Sequence, residues 1–167
     1  MLSADQIIAT LDLQAHPEGG YFREVYRAAG TIPATALAPR WNGSRAHATA
    51  IYFMLKAGQI SRLHRLTSDE QWHYYSGAPL AITSLSPDGT ASRQVLGLDL
   101  AAGERPLVLI PAGHWFGAAL LPGGDYTLIG CTVAPGFDFQ DFELGTRAAL
   151  QRTFPQHSAL IADLTPP

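Results

Sequence analysis

GQISRLHRLTSDEQWHYYSG, residues 58–77, reads as two short strands joined by a turn at Leu66-Thr67-Ser68-Asp69. Ser and Asp favour such a turn because their side chains bond nearby backbone groups. Strand side chains alternate with period two, which puts Ile60, Arg62, His64 and Leu66 on one face of the first strand. The matching set on the second strand is Glu70, Trp72, Tyr74 and Ser76. Where those faces meet, an imidazole, a guanidinium, a carboxylate and two aromatic rings converge. His64 is the natural general acid or base, since an imidazole titrates near neutral pH. Glu70 would orient its ring or share its proton, and Arg62 would hold an anionic group of a ligand. The alternative is a structural hairpin whose buried polar groups only satisfy one another.

Outward from this hairpin the chain alternates short strands with turns. Ser3 caps a helix over Ala4 to Leu11, with Ile7, Ile8 and Leu11 as its apolar face. His-Pro and Gly-Gly at residues 16–20 punctuate a turn, and Tyr21 to Arg27 alternates as a strand. On that strand Tyr21, Arg23, Val25 and Arg27 share one face, and Phe22, Glu24 and Tyr26 the other. The two glycines at 19 and 20 mark backbone geometry that a Cβ would prevent. Residues 31–46, with Pro33, Pro39, Asn42 and Gly43, read as a long loop of the kind that serves as a lid or an interaction arm.

Further strands are expected over His47 to Leu55, Leu80 to Leu85, Thr90 to Val95, Leu107 to Ile110, Trp115 to Leu121 and Tyr126 to Val133. The aromatic and acidic segment from Asp138 to Glu143 would close the barrel end, and a last helix runs from Thr146 to Phe154, stopped by Pro155. Many short strands with helices only at the ends predict one all-β domain over residues 1–167, a sandwich or barrel of jelly-roll type.

A chain of 167 residues is long enough to bury a real core. Its net charge of -3 gives no electrostatic footprint for a nucleic-acid polymer or an anionic membrane. The single cysteine, Cys131, sits in LIGCTV and reads as a buried, inert thiol. The start MLSADQIIATLDL carries Asp5 and no basic region, unlike a secretory signal. The uncharged run Pro106 to Gly124 is broken by Pro111, Gly113, His114 and Pro122, which argues against a membrane helix. The expectation is a soluble cytoplasmic protein.

Gly58 stands six residues before His64, Glu70 six after it, and Gly77 seven further on. This spacing resembles the first cupin motif, G-x5-H-x-H-x3-E-x6-G, in which two histidines and a glutamate hold a metal inside a small β-barrel. The second histidine of that motif is Leu66 here. Pro111-Ala112-Gly113 resembles the centre of the second motif, G-x5-P-x-G-x2-H-x3-N, with Phe116 at the histidine and Leu120 at the asparagine. His114 shares the face of Phe116 by parity. A catalytic metal takes about three protein ligands, so with Leu66 and Phe116 in ligand positions neither metal nor other cofactor is expected. A metal-dependent alternative would use His64, Glu70 and His73, and needs a bulge to bring His73 to the face of Glu70.

The chain as a whole resembles the Cupin_5 family of the cupins. The resemblance is carried by HPEGGYFREVYR at 16–27, ATAIYFML at 48–55, SRLHRLTSDEQWHYYSG at 61–77, PAGHWFGA at 111–118 and CTVAPGFDFQDFELG at 131–145. It implies a double-stranded β-helix, the cupin jelly-roll barrel, with short N- and C-terminal helices and a usually dimeric state. The architecture is similar to that of metal-free sugar-nucleotide epimerases, which use a barrel histidine as base.

Together these readings point to an apolar barrel pocket that binds or transforms a small polar molecule such as a sugar, nucleotide or small acid. His64, Glu70 and Arg62 are the candidate catalytic residues. Trp72, Tyr74 and Phe116 would wall the ligand, Tyr52 and Tyr126 would offer protons from neighbouring strands, and Tyr21 and Arg23 are secondary candidates. If the protein is an enzyme, acid–base chemistry of an isomerase, epimerase or hydrolase is expected. The competing class is a degenerate cupin kept as a ligand-sensing or structural module. A homodimer through sheet edges of the N-terminal half is expected as well.

Overall fold

The computed structural model describes residues 2–166. Two antiparallel sheets face each other across one core, as expected for a jelly roll. In chain order the strands are β1 (Gln14–Ala15), β2 (Tyr21–Arg27), β3 (Thr31–Ile32), β4 (Arg45–Ala46), β5 (Thr49–Lys56), β6 (Ile60–Leu66) and β7 (Asp69–Gly77). They continue with β8 (Leu80–Leu85), β9 (Ala91–Leu96), β10 (Leu107–Ile110), β11 (Trp115–Leu120), β12 (Tyr126–Ala134) and β13 (Phe142–Leu144). One sheet has the order β1-β2-β5-β12-β7-β10 and the other β13-β6-β11-β8-β9, while β3 and β4 form a separate pair. The hairpin of β6 and β7 therefore puts its two strands into different sheets, so that the motif spans the barrel.

Alternation explains the layers. On β5, Phe53 and Leu55 join the core between the sheets, while Met54 and Tyr52 face outward. There they meet α1 (Ala4–Leu11), which lays Ile7, Ile8 and Leu11 over them. Ser3 and Gln6 close a capping box on α1, a device that stabilises a helix start by about 0.5–2 kcal/mol. The opposite sheet is covered in the same way. Leu63, Leu85 and Trp115 face outward against α2 (Arg147–Thr153) and α3 (Ser158–Asp163), whose Leu150 and Ile161 complete that cluster. The last helix expected from the sequence does end before Pro155, at Thr153. Beyond it the chain adds elements that patterning does not announce: Pro155 opens a 3-10 turn into α3, because proline fits the first helical position, where its missing N–H is not needed.

Three β-bulges break the strict alternation. Val25 is the extra residue on β2, since Glu24 pairs with Ile51 and Tyr26 with Ala50. On β6 the register jumps between Phe116–His64 and Ala118–Ser61, which places an extra residue at Arg62–Leu63. A bulge turns everything beyond it to the other face, and both of these re-aim side chains at the site.

The 31–46 segment folds back on its own chain. Its Arg45 is buried and makes a bidentate ion pair with Asp141 at 2.6 and 2.7 Å, and the Trp41 indole donates to Ser68 Oγ at 3.2 Å. No helix among the described residues is long and apolar enough to cross a membrane.

Candidate functional site

A cavity of about 250 Å³ opens at one end of the barrel. His16, Glu18, His64 and Glu70 supply its polar lining, with Cys131 beside them; Phe22, Phe53, Phe137, Phe139 and Phe142 wall it, and Glu24, Arg27 and Asp138 also line it.

Glu18 reaches this interior from a loop rather than from a strand. Gly19 and Gly20 take positive φ of 111° and 71°, and a Cβ on Gly19 would stand 2.3 Å from the Ile60 carbonyl oxygen. Only glycine lets the loop lie this close to β6. The Arg62 N–H then donates to the Glu18 carbonyl at 2.8 Å, and the Arg62 guanidinium bonds the carbonyls of Glu18 and Pro17. The bulge on β6 turns Ser61 inward, where its hydroxyl donates to Glu18 Oε1 at 2.7 Å.

Glu18 Oε2 lies 3.2 Å from His64 Nε2 and 3.3 Å from His16 Nδ1. The tautomers follow from the partners. His64 Nδ1 faces the Arg62 carbonyl at 2.7 Å, an acceptor, so this nitrogen carries the proton and Nε2 offers a lone pair to Glu18. His16 Nδ1 accepts the Glu18 backbone N–H at 3.3 Å. A protonated Glu18 satisfies this geometry. Burial pushes its carboxyl up to about 8, with the Ser61 bond and the Arg62 charge opposing. Burial also lowers His64, and lowers His16 to about 4 with help from the neighbouring His64.

Glu70 faces the same space from β7 and is 7% exposed. Its Oε2 and the neighbouring Trp72 Nε1 are buried with no hydrogen-bond partner among the described residues. Burial raises Glu70 to about 7; His64 opposes that rise, Glu18 adds to it, and the nearby Trp72 indole and Cys131 thiol weakly oppose it as donors. A buried carboxyl oxygen without a partner is costly, and the residue that carries it lines the cavity.

Several sequence expectations are corrected by these placements. Glu18, not Glu70, orients His64. Arg62 sits at the bulge and braces the Glu18 loop from outside, so it does not hold a ligand in the cavity. Trp72 is core packing between Phe53 and Phe116 and lies behind the cavity wall. Tyr74 is also outside that wall and donates to the Gly77 carbonyl at 2.5 Å. Tyr21, Tyr52 and Tyr126 pack under α1 on the outer face of the sheet, and Arg23 bonds the Leu11 carbonyl there at 3.1 Å. Phe116 is inside the barrel, its ring 4.1 Å from that of His64, as a support rather than a wall. His16 and Glu18 are the residues that sequence reasoning missed. Their signal was the paired glycines beside HPE, which mark a close backbone approach.

The cupin architecture implies a metal at this place, and the donor set does not fit one. Leu66 and Phe116 occupy two ligand positions, and His73 lies on the opposite face, with Nε2 3.2 Å from Thr132 Oγ1. His114 lies in the turn before β11 and does not line the cavity. No group of three His, Cys, Asp or Glu among the described residues is placed to hold a metal ion.

Comparison with known proteins gives a consistent picture. The model of the Cupin_5 family, described as Cupin superfamily (DUF985), matches residues 5–145. An uncharacterised protein of Saccharomyces cerevisiae is 29% identical over 148 residues, covering 83% of this chain and 73% of its own. A crystal structure of a Shewanella oneidensis protein is 44% identical with a TM-score of 0.89, over 100% of this chain and 99% of the other. A hypothetical protein from Leishmania major is 35% identical with a TM-score of 0.90, over 98% and 99%. Oxalate decarboxylase of Bacillus subtilis shares the fold alone, at 17% identity and a TM-score of 0.54, with this chain spanning 37% of it.

Proposed function

The chain belongs to the Cupin_5 family, and we propose that its barrel binds a small polar molecule with a compact apolar body and exchanges protons with it, without a bound metal. The observation that carries this reading is the unpartnered Glu70 carboxyl facing the same cavity as the Glu18–His64 pair. General acid–base groups work best when they titrate near the ambient pH, and burial brings Glu70 to about 7. Glu70 gives or takes one proton at the ligand. Glu18 and His64 hold a second proton between Oε2 and Nε2, and Ser61 and the Arg62 carbonyl fix both groups in place. The phenylalanine walls exclude water and seat the apolar body.

The test is a thermal-shift screen of sugars, nucleosides, amines and small acids, followed by exchange of the binders in deuterium oxide. Solvent deuterium entering a carbon–hydrogen bond of a bound compound, slowed about a hundredfold or more by Glu70→Gln, is the expected result. Binding with no exchange in the wild-type chain would leave a ligand-sensing module instead. Metal analysis of untagged protein checks the second half of the reading. A stoichiometric metal lost on His64→Ala would reject it.

A further inference from the structure

We propose that the cavity takes a cationic ligand, a primary ammonium on a compact apolar body, with its charge seated against Glu70. This rests on the reading of the cavity as a small-molecule site and adds the sign of the ligand's charge.

Three independent features point the same way. Glu70 Oε2 is a buried oxygen that makes no well-formed hydrogen bond among the described residues, with only the weakly placed Trp72 indole and Cys131 thiol as donors near the carboxyl. An ammonium brings both the donors and the counter-charge it lacks. Phe22, Phe53, Phe137, Phe139 and Phe142 line the space, and aromatic rings attract cations where water is excluded. The balance of fixed charge favours a cation too. Glu24 and Asp138 line the same cavity, and Arg27 is its only guanidinium. That guanidinium is already taken by Glu24, at 2.6 and 2.9 Å, and by the Phe137 carbonyl at 3.2 Å. His16 and His64 are held neutral by burial, so neither imidazole offers a positive charge to an anion. An anionic ligand would enter a space with carboxyls on several sides and no free cation. A neutral one would leave the charge imbalance untouched.

Seating an ammonium ionises Glu70. The carboxyl proton leaves to solvent, the ammonium keeps its own, and the pair inside the cavity is neutral overall.

The experiment compares three probes of one shape, benzylammonium, benzyl alcohol and benzoate, by titration calorimetry on the full chain at neutral pH. Benzylammonium is expected to bind about tenfold or more tightly than the alcohol, a gap of about 1.4 kcal/mol, and benzoate to bind weakest. Glu70→Gln is expected to bring the amine-to-alcohol ratio to about one, while Glu143→Gln on the surface leaves the ratio as it is. In the wild-type chain, amine heats measured in buffers of different ionisation enthalpy should report proton release that the alcohol does not cause. This second readout holds even if the Glu70 variant fails to fold. Alcohol or benzoate binding as tightly as the amine would overturn the charge assignment and leave the small-molecule reading standing. Failure of all three probes would also overturn it, with the proton-exchange reading still decided by its own screen.

Discussion

His64 Nε2 stands 3.2 Å from Glu18 Oε2, and its other nitrogen is fixed by the Arg62 carbonyl at 2.7 Å. One proton therefore serves both groups, and the stability of the fold should depend on it. Glu18 at about 8 and Glu70 at about 7 stand above their ordinary value of 4.5. Between that value and their own, the folded chain keeps protons that the unfolded chain has lost, so stability falls as pH rises. His16 and His64 are lowered below 6.5 and act in the opposite sense in the acid range. From about pH 6.5 to 8 only the carboxyls remain, and a fall on the order of 1–2 kcal/mol is expected. Urea denaturation across this range checks it, and Glu18→Gln should flatten the slope. Stability that rises with pH there would reject the protonated carboxyls.

Gly19→Ala should destabilise the fold by about 2–3 kcal/mol. The new Cβ would meet the Ile60 carbonyl at a φ that only glycine adopts freely. Because the same turn delivers Glu18, the variant should also lose the pH slope above neutrality. A variant with wild-type stability would mean that the loop can sit elsewhere.

Arg45→Ala leaves Asp141 buried without its counter-ion, and removal of one partner of such a pair costs about 3–5 kcal/mol. Arg45→Met with Asp141→Leu should recover most of the loss. Chemical denaturation of the two single variants and the double variant gives the comparison, and an equal loss in all three would contradict it.

The proposed homodimer has a candidate seam on β2. Only Tyr21 and Phe22 pair with β1, which leaves the rest of that edge open, and Val25 and Tyr26 are 47% and 55% exposed. Open edges invite pairing with a second copy. Light scattering should give a dimer mass that Tyr26→Glu reduces to that of a monomer. A monomer mass for the wild-type chain at micromolar concentration would sink the seam.

Much of this structure is legible in the sequence because period-two alternation and turn residues act locally. The helix from Ala4 to Leu11 and the strands Leu80–Leu85 and Leu107–Ile110 fall where patterning predicts them. His64 and Glu70 point into the barrel, as their spacing between Gly58 and Gly77 implies. What fails is everything that depends on an unread bulge or on a covering helix. Arg62 reads as an inward residue until the bulge at 62–63 turns Ser61 inward in its place. Arg27 reads as facing away from Glu24, yet the bulge at Val25 brings them to 2.6 Å. Tyr52 and Tyr126 have the alternation of site residues, and only α1 decides that their face is the outside. Glu18 lies outside any strand, so no periodicity could have announced it.

The delivery of Glu18 by a short turn separates two properties that strand-borne sites tie together. Barrel strands fix the shape of the cavity, because their side chains pack on both faces. The HPEGG turn contributes acidity to that cavity while crossing its rim. A change at Glu18 alone can thus retune the proton inventory of the site with the walls unchanged, so long as Gly19 and Gly20 stay to keep the turn against its neighbouring strands. Replacing the one side chain at residue 18 is a direct route to altered chemistry on this barrel.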